Sequence, residues 1–154
     1  MFLSIRSILF TFFTLLHIVL IDCSKTGAPL EACADLKPGH NVTNGFQTTK
    51  NPCSVKYEKL VNGTYRFTLK SDGFKGFALA VKDGSKYVGT WTENVNARIL
   101  ECPQGKVITH TINDVKYQVD LFWMPNGAKV ENLELFGTCV RDYKNFWRIK
   151  QNFP

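Results

Sequence analysis

Hydrophobic and polar positions alternate with period two over several stretches of this chain. Tyr65, Phe67 and Leu69 are interleaved with Thr64, Arg66, Thr68 and Lys70, the pattern of a strand with one buried face. The clearest run is Val115-Lys-Tyr-Gln-Val-Asp-Leu-Phe-Trp123. Its odd positions are apolar or aromatic, so Lys116, Gln118 and Asp120 are expected on the opposite face. Val130 to Val140 continues in the same way, with Leu133, Leu135 and Cys139 on one parity. In the last such segment, Arg148 and Lys150 fall opposite Trp147 and Ile149. That alternation makes Trp147 a core residue more readily than a ligand platform. Phe77-Ala-Leu-Ala-Val81 does not alternate at all. A short continuous apolar run, bounded by Gly76 and Asp83-Gly84, predicts a strand covered on both faces. Shorter strands are expected around Val55–Tyr57, Tyr87–Trp91 and Val107–Thr111.

Turn chemistry divides these runs. Asn62-Gly63 is a strong hairpin signal between the strands at Val55 and Tyr65. Ser71-Asp72-Gly73 is expected to end the second strand, and Pro125-Asn126-Gly127 to form a turn. Residues 24–52 hold Gly27, Pro29, Pro38, Gly39, Gly45 and Pro52 with little periodicity, which predicts an irregular lead-in. No segment keeps an apolar repeat of helical spacing. Roughly seven to nine short strands with frequent turns predict an all-β fold, an immunoglobulin-like antiparallel sandwich.

The first residues read differently. A single charge, Arg6, precedes an apolar run from Ile8 to Ile21. That run is short of the about 20 residues a membrane span needs and matches the core of a secretory signal. Residues 1–24 are therefore expected to be an export signal and 25–154 one domain. No second apolar run of spanning length follows, so no transmembrane segment is expected after cleavage.

The chain has 154 residues, 44% hydrophobic and 21% charged. These proportions suit a globular domain and exclude a disordered or low-complexity chain. Nineteen Lys and Arg against 13 Asp and Glu give a formal charge of +6. Of five cysteines, Cys23 would leave with the signal, and Cys33, Cys53, Cys102 and Cys139 remain. An even number suits an oxidising compartment, and the spacings resemble no zinc motif. Parity favours Cys53 with Cys139, both inward at strand positions, leaving Cys33 for Cys102. Cys33–Cys53 with Cys102–Cys139 stays sterically open. Asn41-Val-Thr and Asn62-Gly-Thr are glycosylation sequons in polar, turn-like surroundings.

Four blocks carry a resemblance. Gly27-Ala-Pro-Leu-Glu-Ala-Cys33 with Lys37-Pro-Gly-His40 looks like the opening of a reeler (reelin-type) domain. Phe74-Lys-Gly-Phe-Ala-Leu79, Cys102-Pro-Gln-Gly-Lys-Val-Ile-Thr-His110 and Val140-Arg-Asp-Tyr-Lys-Asn-Phe-Trp147 resemble later segments of that family, in family order. The resemblance implies a β-sandwich and a shared disulfide that maps onto Cys33 and Cys102. It implies an additional bridge at Cys53 and Cys139, positions not usually cysteine in short secreted members. A lone domain behind a signal is similar to the family's small secreted insect members, associated with the immune response to bacteria. Residues 41–50 and the surroundings of Asn132 depart from the family pattern.

No catalytic set is recognisable. His40 and His110 are the only histidines after the signal, and His110, beside Thr109 on a strand, reads as hydrogen-bonded structure. No nucleophile elbow, metalloprotease motif or phosphate loop occurs. The reductases that share a reeler domain carry their redox chemistry on additional haem modules, for which this chain has no room. No enzyme activity, cofactor or metal is expected. The basic excess is more informative. Lys129, Arg141, Lys144, Arg148 and Lys150 gather towards the C-terminus and form a candidate anionic-ligand surface, although such charges are often simply solvated. Two function classes follow. One is a secreted defence factor that binds anionic microbial glycans or lipids by electrostatic attraction. The other is an extracellular adhesion or matrix module that binds host glycosaminoglycan or protein. Nucleic acid is a poor partner for so moderate a charge in an exported protein, and a monomer is expected.

Overall fold

The Asn-Gly turn joins β1 (Ser54–Lys59) to β2 (Tyr65–Phe74) in an antiparallel hairpin. A computed structural model of the chain describes residues 26–39 and 45–154. The expected export signal, Cys23, His40 and Asn41 lie outside the described residues. Eight further strands follow: β3 (Gly76–Asp83), β4 (Lys86–Tyr87), β5 (Thr90–Thr92), β6 (Ala97–Cys102), β7 (Gly105–His110), β8 (Lys116–Met124), β9 (Leu133–Val140) and β10 (Phe146–Phe153). They form two antiparallel sheets, β1-β2-β8-β5 and β10-β9-β3-β7-β6, with β4 pairing β3 in the second.

Ten strands stand where seven to nine were expected. β6 carries no clean alternation and escapes a pattern search. The run from Tyr87 to Trp91 is split, because β4 belongs to one sheet and β5 to the other. Gly89 makes the crossing at φ +71°, and a Cβ there would lie 2.4 Å from the Trp123 ring. Only glycine suits both the left-handed backbone and the missing space.

The inner faces enclose an aromatic core of Tyr65, Phe67, Trp91, Trp123 and Phe153 with Leu69, Leu79, Leu121 and Leu135. The Phe153 ring meets those of Phe67 at 5.2 Å, Tyr65 at 5.7 Å and Trp123 at 5.7 Å. Cys53–Cys139 joins the segment before β1 to β9 in the other sheet, and Cys33–Cys102 joins the lead-in to the end of β6. This is the pairing that strand parity favours.

Two expectations fail at one place. β2 does not stop at Ser71-Asp72-Gly73; it runs through a bulge between Lys70 and Phe74. The shift spoils the parity of early β8. Val115 and Tyr117 are 52% and 64% exposed, whereas Lys116 is only 8% exposed. The Lys116 ammonium donates to the carbonyls of Lys75, Ile112 and Asp114 at 3.0, 2.6 and 2.8 Å. Three oriented carbonyls replace the water a buried ammonium would lose, and burial still lowers its pKa, opposed by Asp114.

β3 is apolar on both sides because the lead-in covers the outer face of its sheet. A single 3₁₀ turn, Leu30–Ala34, carries Cys33. Cys33 and Leu36 pack with Ala78, Ala80, Tyr87, Leu100 and Val107 as a second small core. Hydrogen bonds fasten the segment: Thr138 Oγ1 donates to the Leu36 carbonyl, Tyr87 Oη to that of Cys33, and Arg98 Nε to that of Thr26. Residues 47–51 then protect the outer edge of β10. Gln47 N donates to the Phe146 carbonyl at 3.0 Å, and Asn51 Nδ2 to that of Arg148 at 3.0 Å. These bonds occupy the first half of that edge, where another chain would otherwise pair.

Candidate binding faces on the six-stranded sheet

The five C-terminal cations do not form one surface. Lys129 lies between β8 and β9 and pairs with Glu131 at 2.6 Å. Arg141 pairs with Asp72 at 2.5 Å and lies over the Trp147 ring. This pairing, with the hydrogen bond from Arg141, holds the Asp72 carboxyl below its ordinary pKa. Lys144 is exposed in the β9–β10 turn. Arg148 and Lys150 alone share a face, as their parity predicts.

That face has an aromatic centre. Phe136 of β9 is half-buried on the outer side of the sheet. The Arg148 guanidinium stands 4.5 Å from its ring centroid, the Lys82 ammonium 4.4 Å and the Lys150 ammonium 5.9 Å. Attraction to the ring faces holds cations that would otherwise repel one another. Arg148 is further pinned by the Phe46 ring at 3.9 Å and by donation to the Asp35 carbonyl at 2.5 Å. Burial lowers its pKa, opposed by Asp35, Tyr87 and Glu134, and an arginine keeps its charge throughout. The carboxylates that face this cluster are Glu134, 3.9 Å from Lys150, and Asp35, which acts on Arg148. Lys82 and Phe136 were not singled out from sequence. Phe136 falls on the solvent parity of β9, which was a usable signal. Lys82 joins it only through the β3–β9 register, Lys82 opposite Glu134 and Ala80 opposite Phe136.

On the other side of Leu36 the described lead-in residues stand off the sheet around a groove of about 370 Å³. Gly76 and Ala78 of β3 and Thr138 and Val140 of β9 line its floor, and Ala28, Pro29 and Leu36 line one wall. Lys75, Asp142 and Tyr143 border it on the side of the β9–β10 turn, and Lys37 on the side of the lead-in. His110 lines it too. Its Nδ1 lies 3.2 Å from the carbonyl oxygen and 3.3 Å from the amide nitrogen of Phe77. The ring rests on Gly76, where a Cβ would come within 3.0 Å of it. Burial lowers the His110 pKa; the Phe77 backbone bond opposes this, and Lys116 and Arg98 reinforce it. The imidazole is thus neutral at neutral pH and hydrogen-bonded to its own sheet. Among the described residues, no group of three His, Cys, Asp or Glu is placed to hold a metal, and no helix is long and apolar enough to cross a membrane.

The sequence profile of the Reeler domain matches residues 31–153. The chain belongs to the reeler family. Its sandwich superposes on the human F-spondin reeler domain with a TM-score of 0.53 at 16% identity, covering 68% of this chain and 90% of that one. Among curated relatives it is similar to "Putative defense protein 2" of Antheraea mylitta, 29% identical over 89% of this chain and 92% of that protein. "Defense protein l(2)34Fc" of Drosophila melanogaster is 30% identical over 82% of this chain and 84% of its own length. "Putative ferric-chelate reductase 1" of Xenopus laevis is 26% identical over 79% of this chain but only 22% of the reductase. The reeler domain is thus found as nearly a whole protein in the insect relatives and as a minor part of the reductase. Asn62, the sequon within the described residues, stands exposed in the β1–β2 turn, where its Oδ1 accepts the Thr64 amide at 3.0 Å.

Proposed function

We propose that this reeler domain is an extracellular defence factor that binds anionic polymers of microbial surfaces through the cationic face around Phe136. The defence role rests on relatives that match nearly end to end. An oxidising, extracellular setting is supported by two disulfides that close long loops, with sequence separations of 69 and 86. Action by binding, without turnover, agrees with a histidine committed to the Phe77 backbone and four cysteines committed to bridges.

One observation carries the choice of face. Three cations from β3 and β10 converge on one aromatic ring of β9, so charge is concentrated by pairing strands distant in sequence. Such a cluster attracts polyanions over a distance set by the ionic strength.

The test is binding of the purified protein to whole bacteria, lipopolysaccharide and lipoteichoic acid at low and high salt. The double variant Lys82→Glu, Lys150→Glu is expected to bind at least tenfold more weakly, and salt to weaken the native protein likewise. Equal binding by native and reversed proteins overturns the assignment of the face. Retention on heparin with no affinity for bacteria overturns the microbial reading in favour of a host matrix module.

A further inference from the structure

We infer that the groove between the lead-in and the six-stranded sheet is a binding site for a single-chain anionic amphiphile of the fatty-acid class. The inference does not depend on the cationic face, which lies on the far side of Leu36.

The size and lining come first. About 370 Å³ is within the range of small-ligand pockets. Its floor and lead-in wall present mainly aliphatic carbon, from Ala28, Pro29, Leu36, Ala78 and Val140. The described lead-in residues 26–39 reach across the sheet without filling this space, held by Cys33–Cys102 and by the Thr138–Leu36 bond.

The backbone excludes one kind of occupant. The floor residues Gly76, Ala78, Thr138 and Val140 belong to the β3–β9 ladder, and Ala78 also pairs with Thr109 of β7. Their amides and carbonyls are engaged within the sheet. An extended peptide laid in the groove would bury its own backbone groups without partners, at a cost of a few kcal/mol each. An acyl chain carries no such groups and loses nothing by leaving water.

The rim selects the head group. Neither Lys37 nor Lys75 has an ion-pair partner among the described residues, and both border the groove. The one carboxylate among the lining residues, Asp142, has its oxygens engaged. They accept from Asn145 Nδ2 at 2.9 and 3.0 Å and from the amides of Lys144 and Asn145 at 2.9 and 3.0 Å. Beside Lys37, the Asp35 carboxylate accepts the Lys37 amide at 2.8 Å. His110, its Nδ1 held by the Phe77 backbone, adds one polar ring to a mainly apolar lining. An apolar body with a carboxylate at one end fits this distribution.

The experiment titrates the full purified protein with dodecanoate below its micelle concentration, by calorimetry and by amide chemical shifts. Dodecanol and hexanoate serve as comparators. Saturable one-to-one binding is expected, with shifts concentrated at Gly76, Ala78 and His110, and at least tenfold weaker binding of hexanoate. Ala28→Trp fills the groove and is expected to abolish binding. Lys37→Glu with Lys75→Glu, at solvent-accessible positions that leave the fold intact, is expected to weaken dodecanoate at least tenfold and dodecanol little. Lys82→Glu with Lys150→Glu is expected to leave dodecanoate binding unchanged, which separates this site from the polyanion face. Absence of saturable binding, shifts centred elsewhere, indifference to the Lys37 and Lys75 reversals, or tighter binding of an apolar decapeptide overturns the inference.

Discussion

Phe153 touches three core rings contributed by both β2 and β8, so one side chain of the last strand joins the two sheets. Truncating a buried phenylalanine removes its transfer energy and leaves a cavity. Phe153→Ala is therefore expected to lose about 3–5 kcal/mol in urea unfolding. At Gly89, alanine would need a left-handed backbone and a Cβ placed 2.4 Å from the Trp123 indole. Gly89→Ala is expected to cost more than about 1 kcal/mol and to shift tryptophan fluorescence, because the indole N–H bond to the Val88 carbonyl must move. His110 makes a pH prediction. Its folded pKa lies below the ordinary value near 6.5, chiefly through burial. The unfolded chain then binds more protons below that value, so stability falls as pH drops through and below 6.5. The urea midpoint should decline between pH 7 and pH 5, and His110→Gln should show a smaller decline. Asp72 and Asp142 have lowered pKa values and lose their contributions only at more acid pH. An equal decline in both proteins would refute the assignment to His110.

At the scale of elements, the lead-in decides most. It turns the outer face of β3 into a second small core and forms one wall of the groove. Cys33→Ser with Cys102→Ser is expected to cost about 2–5 kcal/mol. Amide exchange at Ala78 and Ala80 should rise more than at Leu121, which lies in the other sheet. Equal exchange at all three would mean that the lead-in does not shield β3. Much of this was legible. Both-faced burial of β3 followed from its unbroken apolar run, and the Cys53–Cys139 pairing from strand parity. The course of β8 was legible only from Val119 onward. A bulge in the partner strand shifts register, and nothing in 115–118 announces it. The cationic face was half legible for a similar reason. Arg148 and Lys150 share a face by parity within one strand, whereas Lys82 comes from a strand that the β3–β9 register alone brings opposite.

Over the whole molecule, the two proposed recognition surfaces lie on one sheet, separated by the lead-in residues Asp35 and Leu36. One is charged and centred on Phe136; the other is concave and apolar beside His110. Binding at the first is expected to weaken with salt, and binding of an uncharged amphiphile at the second is not, because screening acts on exposed charges and leaves apolar transfer nearly untouched. Parallel salt titrations with lipoteichoic acid and with dodecanol test this difference, and a common salt dependence would count against two separate surfaces. The sequence by itself determined the fold class, the likeness to reeler domains and the side of the sheet to which Arg148 and Lys150 belong. Those properties follow from period-two alternation and local motifs, which need no knowledge of distant neighbours. Only the tertiary structure decided which cations cluster, which remain scattered in separate ion pairs, and that a groove exists. Each depends on strand register and on a covalently anchored lead-in, contacts between residues tens of positions apart that local pattern does not encode.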